Sequence, residues 1–161
     1  ATGGLDAYDC LLVAGARTVL REAADAIRAF QERGGRLVSL SADNLVEDEY
    51  GRPITPVRPD SIIEGRPKQE VLRDLLLPEL AAAGIVPDML LHTPEGKVPF
   101  GVEWRAVAYQ DTVLINLVNL RSDPIHVALP DGDWQELIEG VSAKGIIELL
   151  PNNPKLLKKM E

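Results

Sequence analysis

The spacing of apolar residues changes near residue 86 and divides this chain of 161 residues into two parts. Before that point, short apolar runs alternate with segments whose apolar residues recur at helical spacing. After it, apolar and polar residues alternate with a period of two between frequent turn residues. The first pattern is typical of a parallel sheet with helices, and the second of antiparallel strands. The sequence therefore predicts an α/β region over residues 1–85 and an all-β region over residues 86–161.

Residues 9–40 carry the pattern of a βαβ unit. The apolar run 9–14 predicts a buried strand, and apolar residues at helical spacing over 19–33, capped by Thr18, predict a helix. Residues 37–40 predict a second strand, parallel to the first. Two parallel strands cannot cover both of their faces, so we expect further strands and favour preceding sequence over another chain as their source. The start of the chain, which lacks Met, likewise suggests a piece of a longer polypeptide.

The remaining elements follow from proline, glycine and the change of period. Residues 41–67 predict a long loop, and 68–77 predict a helix that Pro78 either kinks or separates from a short second helix ending at Ala83. The second region predicts seven short strands, arranged as a small antiparallel β-sandwich. These strands are expected near 88–93, 102–110, 113–120, 125–129, 134–139, 145–150 and 155–159.

Composition excludes several classes of function. The net charge is −8, and a negative chain repels phosphate backbones, so we expect no nucleic-acid partner. No apolar run reaches the roughly 18 residues of a membrane-spanning helix. Cys10 is the only cysteine, and His92 and His126 lack ligand spacing, so we expect no internal disulfide, metal or cofactor. A chain without disulfides is compatible with a cytoplasmic location, which we favour.

Few residues offer nucleophilic or sugar-binding chemistry. Ser41 follows the second strand, where a nucleophile elbow would lie, but it lacks flanking glycines and a suitably placed His, so a loop cap is the preferred interpretation. Cys10 lies within an apolar run and is interpreted as an inert core cysteine. Trp104 and Trp134 could stack on sugar rings, although core packing is the more frequent role of such residues in strands.

Glu47, Asp48 and Glu49 form the one dense acidic cluster, and Tyr50 and Arg52 follow it. Paired carboxylates can cleave a glycosidic bond when they face each other across a cleft. Three consecutive carboxylates on a loop are more often a solvated or capping cluster. No catalytic residue is therefore predicted here.

Three segments together resemble a known family. Residues 8–30 and 34–38 resemble the glutamine-amidotransferase-like module of certain large glycoside hydrolases, which is called a trimerisation domain in β-galactosidases of that type. The loop 47–53 is similar to acidic loops that read DEYGRP in related enzymes. Residues 102–105, 114–120 and 149–151 resemble the small β-domain that closes those polypeptides. Ala14 departs from the pattern, because proline is usual there.

The resemblance implies a non-catalytic role. In such enzymes a (β/α)₈ barrel carries the two catalytic glutamates, and a barrel needs about 250 residues, for which this chain has no room. The fold implied is an incomplete flavodoxin-like or amidotransferase-like parallel sheet followed by a small antiparallel β-sandwich. The module would also be a dead amidotransferase, because Ser41 is the residue nearest to the elbow position and no His–Glu pair accompanies it.

The chain is accordingly interpreted as the C-terminal part of a retaining glycoside hydrolase that acts on β-glycosides, where it supports structure and oligomerisation. Its expected partners are a catalytic barrel in the same or an associated polypeptide, further copies of itself, and the carbohydrate substrate of the parent enzyme. The loop 41–67 is expected to border a neighbouring active site, through Asp48, Glu49, Tyr50 and Arg52. Two alternatives remain open, a stand-alone interaction module without enzymatic activity and a hydrolase that uses Ser41.

Overall fold

A computed structural model describes residues 4–160 and divides the chain between Val86 and Pro87 into two units. The first unit holds a three-stranded parallel sheet and two helices. In the second unit the strands pair antiparallel in a five-stranded and a two-stranded sheet. The predicted class, an α/β part followed by a β-rich part, is confirmed.

In the first unit a short strand appears where the sequence predicts only loop. The parallel sheet of this unit has the strand order β1 (Cys10–Val13), β2 (Arg36–Ser39), β3 (Ser61–Ile62), and β3 lies within the segment 41–67. The prediction of two strands is wrong, because a two-residue strand carries no detectable period. The elements are β1 (Cys10–Val13), α1 (Arg21–Glu32), β2 (Arg36–Ser39), β3 (Ser61–Ile62) and α2 (Gln69–Ala82).

Helix α1 covers one face of this sheet. Its residues Ala24, Ile27 and Phe30 recur at helical spacing and are buried, and the first two share a core cluster with Leu37 of β2. The predicted cap at Thr18 is wrong. Leu20 occupies the N-cap position without a side-chain hydrogen bond, because residue 18 is held in a bridge to the segment 46–54.

Helix α2 runs through Pro78 as one element from Gln69 to Ala82. Proline removes one backbone donor but does not end this helix, so the predicted second helix is wrong. An ion pair between Arg36 of β2 and Glu79 of α2, at 2.5 Å, ties the helix to the sheet face opposite α1. None of the residues of α2 is buried.

Gly35 lies under the ring of Phe30, and this close approach requires glycine. A Cβ atom at position 35 would lie 2.2 Å from a ring carbon of Phe30, whose side chain is buried. We expect Gly35→Ala to lower the free energy of unfolding by about 1–3 kcal/mol through overpacking. Gly15→Ala is the matched control, because no atom lies within 4 Å of its Cβ position. Urea denaturation followed by circular dichroism compares them, and equal effects of the two substitutions would contradict the packing argument.

The second unit differs from its prediction in two of the predicted strands. The predicted strand near 88–93 is reduced to a single bridge between His92 and Ala128, and the predicted strand 134–139 stops at Glu136, where a turn begins. The elements are β4 (Val102–Tyr109), β5 (Thr112–Asn119), β6 (Ile125–Ala128), β7 (Trp134–Glu136), β8 (Ser142–Ala143), β9 (Ile146–Leu149) and β10 (Lys155–Lys159).

Both sheets of the second unit contribute to one apolar core. The five-stranded sheet has the order β4-β5-β10-β7-β8, and β6 pairs with β9 in the other sheet. Trp134 is the largest buried side chain, and its indole N–H donates to the carbonyl of Pro130 at 3.0 Å. The buried members of the core are Leu91, Val102, Ile115, Leu117, Val127, Leu129, Trp134, Leu149 and Leu157.

Candidate functional site

The acidic segment predicted to lie near a substrate forms a tight turn between residues 46 and 54. The N–H of Ile54 donates to the carbonyl of Val46, and the N–H of Gly51 donates to that of Asp48. The turn is joined to the start of α1, because the N–H of Val19 donates to the carbonyl of Glu47 at 2.9 Å. The long loop is therefore an ordered part of the first unit at this point.

Asp48 is the anchor of this turn. Its side chain is fully buried, and its Oδ2 atom accepts from the guanidinium groups of Arg21 and Arg52, each at 2.9 Å. Its Oδ1 atom accepts from the backbone N–H groups of Tyr50 at 3.0 Å and Arg52 at 2.9 Å. Burial by itself raises the pKa of Asp48, but these hydrogen bonds outweigh it and lower the pKa to about 2. A saturated carboxylate of this kind shapes the turn and cannot serve as a general acid near neutral pH.

The pKa of Asp48 predicts how stability depends on pH. Because the folded-state value of about 2 lies below the ordinary value of 3.8, the carboxylate stabilises the fold above pH 4. This contribution is expected to disappear as the pH falls from about 4 to about 2. Melting temperatures of the native chain and of Asp48→Asn, measured across this window, should converge toward the acidic end. A constant difference between them would contradict the assignment.

Three side chains of the same turn face solvent. Glu49 is exposed, Tyr50 is 73% exposed, and the Arg52 guanidinium lies 4.6 Å from the centroid of the Tyr50 ring. A cation held over one face of an aromatic ring orders both side chains. Of the four residues predicted to lie near a substrate, the structure thus places Asp48 inside and the others outward. Contact with a substrate stays a prediction.

A shallow cleft of about 320 Å³ lies between α1 and the end of this turn. Arg28 crosses it, donating to the carboxylate of Asp25 at 2.6 Å and to the carbonyl of Thr55. More of the residues that line the cleft are polar than apolar. Its lining residues are Arg21, Ala24, Asp25, Arg28, Pro53, Ile54 and Thr55.

The polar residues that follow β2 are engaged with one another. Asn44 is buried and donates to the carbonyl of Val13 and to Oγ of Ser39, while its own oxygen accepts from the N–H of Ala16. Ser41 accepts from the N–H of Asp43 at 3.1 Å, which is the local turn expected of a capping serine. Both histidines of the chain lie in the second unit, so Ser41 has no histidine partner within its own unit.

The single cysteine and the two tryptophans differ in how deeply they are buried. Cys10 is only partly buried, so the predicted core position is wrong, although the partial burial still raises the pKa of its thiol. Trp134 is a core residue. Trp104 packs against the same core and donates to the carbonyl of Met89 at 2.8 Å, but it also lines a groove of about 410 Å³ along β4 with Pro87.

Two structural residues escaped prediction. Arg21 lies 27 residues before Asp48 in the chain, and no local pattern links the two positions. Glu136 is buried and accepts N–H bonds from Ile138, Glu139 and Leu156. Burial raises the pKa of Glu136, and the three N–H bonds more than offset this and lower it. In the sequence, the only hint of this role is that the glutamate stands just before a turn, where its carboxylate can accept backbone N–H bonds.

Within residues 4–160 no group of three or more His, Cys, Asp or Glu side chains could hold a metal ion. Neither helix in the same range is long and apolar enough to cross a membrane.

No protein-family model matches the sequence, and a search of curated proteins found no match. Solved structures do match. The fold is similar to that of a segment of glycoside hydrolases of family GH42. An exo-carrageenase of GH42 from Bacteroides ovatus matches 95% of this chain with a TM-score of 0.68 and 20% identity. A GH42 β-galactosidase from G. stearothermophilus matches 96% with a TM-score of 0.64 and 13% identity. A β-galactosidase from Bacillus circulans sp. alkalophilus matches 97% with a TM-score of 0.61 and 13% identity.

The chain corresponds to a minor part of each of these structures. It spans 22% of the carrageenase, 32% of the G. stearothermophilus enzyme and 34% of the Bacillus enzyme. At these identities the match defines the fold. The predicted resemblance to part of a β-galactosidase-like glycoside hydrolase is confirmed at that level.

Proposed function

We propose that this chain is the C-terminal, non-catalytic portion of a retaining glycoside hydrolase that acts on β-glycosides in the manner of a β-galactosidase. The observation that carries the proposal is the match to single solved chains over 94–97% of its length, because one such match spans both units. Residues 1–85 would form an incomplete amidotransferase-like module, and residues 86–161 a small β-sandwich domain.

The state of the buried carboxylates supports a non-catalytic role. A retaining enzyme needs two carboxyl groups about 5–5.5 Å apart, one of which must exchange a proton with the substrate. The two buried carboxylates in residues 4–160 are Asp48 and Glu136, which lie in different units and are each occupied by N–H donors. We therefore assign the reaction to a (β/α)₈ barrel in the same or an associated polypeptide.

Within that enzyme the chain would support the structure and hold copies of the enzyme together. Its exposed turn residues Glu49, Tyr50 and Arg52 would border the active site of a neighbouring copy. An ordered turn with an exposed aromatic ring is suited to this position, since aromatic faces stack against sugar rings with little loss of conformational entropy.

Native mass spectrometry of the material from its source tests the proposal. We expect the chain to accompany, or to be continuous with, a sequence of at least about 250 residues in a complex with several copies. The complex should hydrolyse aryl β-glycosides with retention. Recovery of the 17.6 kDa chain alone, folded and without such activity, would contradict the proposal and favour a stand-alone interaction module.

Replacing Tyr50 tests the placement of the turn. In the complete enzyme, Tyr50→Ala is expected to raise KM for a β-galactoside by roughly threefold to tenfold with little change in kcat, because a stacking contact binds substrate and transition state alike. Tyr109→Ala is the control, since Tyr109 is 54% exposed in the second unit. Steady-state kinetics that show the same KM for both variants would remove the turn from the active site.

A further inference from the structure

Strand β4 forms one edge of the five-stranded sheet in the second unit. It has eight residues, Val102–Tyr109, whereas the other edge strands among residues 4–160 have two or four. β5 pairs with it on one side, and no strand of the described residues pairs with it on the other. A long free edge is a template for pairing with another chain. Charged side chains block such pairing unless the incoming strand carries complementary charges.

The pairing of β4 with β5 determines which backbone groups point to the free edge. The N–H of Leu120 donates to the carbonyl of Gly101 at 2.8 Å, in the same register as the two strands that follow from it. Hydrogen-bonding direction alternates along a strand. The backbone groups of the odd-numbered residues of β4 therefore point toward β5, and those of Val102, Trp104 and Ala106 point toward the free edge.

The two charges of β4 lie on the outer face of the sheet at this edge. Trp104 packs against the core, so the side chains on either side of it in the strand, Glu103 and Arg105, point outward and are exposed. Their partners on β5 are Val118 and Asn116, which carry no charge. Neither Glu103 nor Arg105 makes an ion pair among residues 4–160. Two opposite charges, two positions apart, therefore face solvent without a partner.

This charge pattern is complementary to itself in one antiparallel register. In a two-fold contact, residue i of one copy meets residue j of the other, and j meets i. An axis at Trp104, whose backbone groups point outward, places Glu103 of each copy opposite Arg105 of the other. Cβ atoms directly opposite in an antiparallel pair lie about 4.5–5.5 Å apart, which is within reach of an ion pair. An axis at Arg105 would instead set two arginines opposite each other.

We propose that β4 pairs antiparallel with β4 of a second copy of this chain, across a two-fold axis at Trp104, and that Glu103 and Arg105 form symmetric ion pairs between the copies. Main-chain hydrogen bonds supply the affinity of such strand addition, and the charges fix its register. The inference rests on that part of the proposed function in which the chain holds copies together. It requires no catalytic barrel.

Reversal of each charge tests this contact. Glu103→Arg and Arg105→Glu each set like charges opposite one another, and the two-fold axis repeats the clash. We expect either variant alone to weaken the contact by at least about tenfold, which halves the number of copies over a dilution series. Native mass spectrometry counts the copies, on the protein in the form in which it occurs, alone or joined to a larger polypeptide.

A mixture of the two variants separates this register from a general effect of charge. In a mixed pair, the two positive side chains of Glu103→Arg lie opposite the two negative side chains of Arg105→Glu, so mixed dimers should form with an affinity within about threefold of the native contact. Glu148→Arg is the matched control, because it makes the same charge change at an exposed position of β9, in the other sheet. It should leave the copy number unchanged. All three variants should keep the circular dichroism spectrum of the native chain.

The outcomes distinguish this inference from the proposed function. If a glycosidase of several copies keeps its copy number in both single variants, the inference is wrong while the proposed function stands. If the single variants dissociate but their mixture does not reassemble, the copies do not meet in this register and the inference is again wrong. If the source yields this chain alone and without glycosidase activity, yet the variants dissociate and reassemble as expected, the barrel assignment fails and the contact stands.

Discussion

Replacing Trp134 by alanine is expected to lower the free energy of unfolding of the second unit by about 3–5 kcal/mol. The side chain is 1% exposed and is the largest in a core that both sheets of this unit build. Its removal leaves a cavity and an unpaired carbonyl at Pro130. Because both tryptophans lie in the second unit, the fluorescence of Trp104 follows the unfolding of this unit during denaturation.

Two companion variants sharpen this test. Trp134→Phe keeps most of the apolar volume and loses only the indole N–H bond, so its effect should be smaller than that of alanine. Leu120→Ala removes an exposed side chain and is expected to change stability by no more than about 0.5 kcal/mol. If Trp134→Ala is as mild as Leu120→Ala, the core of the second unit is not organised around this residue.

Asp48→Ala is expected to have the largest effect in the first unit, with a fall in melting temperature of roughly 5–10 °C. The substitution leaves the guanidinium groups of Arg21 and Arg52 without their shared acceptor and frees two N–H groups of the turn. Hydrogen bonds to a charged acceptor contribute more to stability than neutral ones, so the joint loss of these bonds is costly. Hydrogen exchange of the β1 and β2 amides reports on this unit.

Glu49→Ala is the matched control for Asp48, because it removes the neighbouring carboxylate from an exposed position. It is expected to change the melting temperature by no more than about 2 °C. Equal effects of the two substitutions would mean that net charge, and not the buried hydrogen bonds, determines the stability of the turn.

Much of the fold could be predicted from local pattern. The helical spacing of Ala24, Ile27 and Phe30 and the apolar run that includes Leu37 predicted α1 and β2, because burial of one face repeats at a fixed period. β3 and β8 were missed, since two residues cannot display a period. The strand near 88–93 was predicted but is only a bridge at His92, because its pairing depends on β6 and not on local preference.

The candidate site could be predicted only in part. The acidic segment and its aromatic neighbour are visible in the sequence, and the structure keeps Glu49 and Tyr50 at the surface. The burial of Asp48 could not be foreseen. It depends on Arg21, which is distant in sequence and is brought close by the packing of α1 against the sheet.

The sequence by itself determined the class of this protein, its division near residue 86 and the absence of paired cysteines, because these follow from period and composition. Only the tertiary structure decided which carboxylates are structural and which sheet edge is open. Asp48 and Glu49 are adjacent and chemically alike, yet one is enclosed by donors and the other faces water. The physical reason is that burial and hydrogen bonding depend on segments that meet only when the chain has folded.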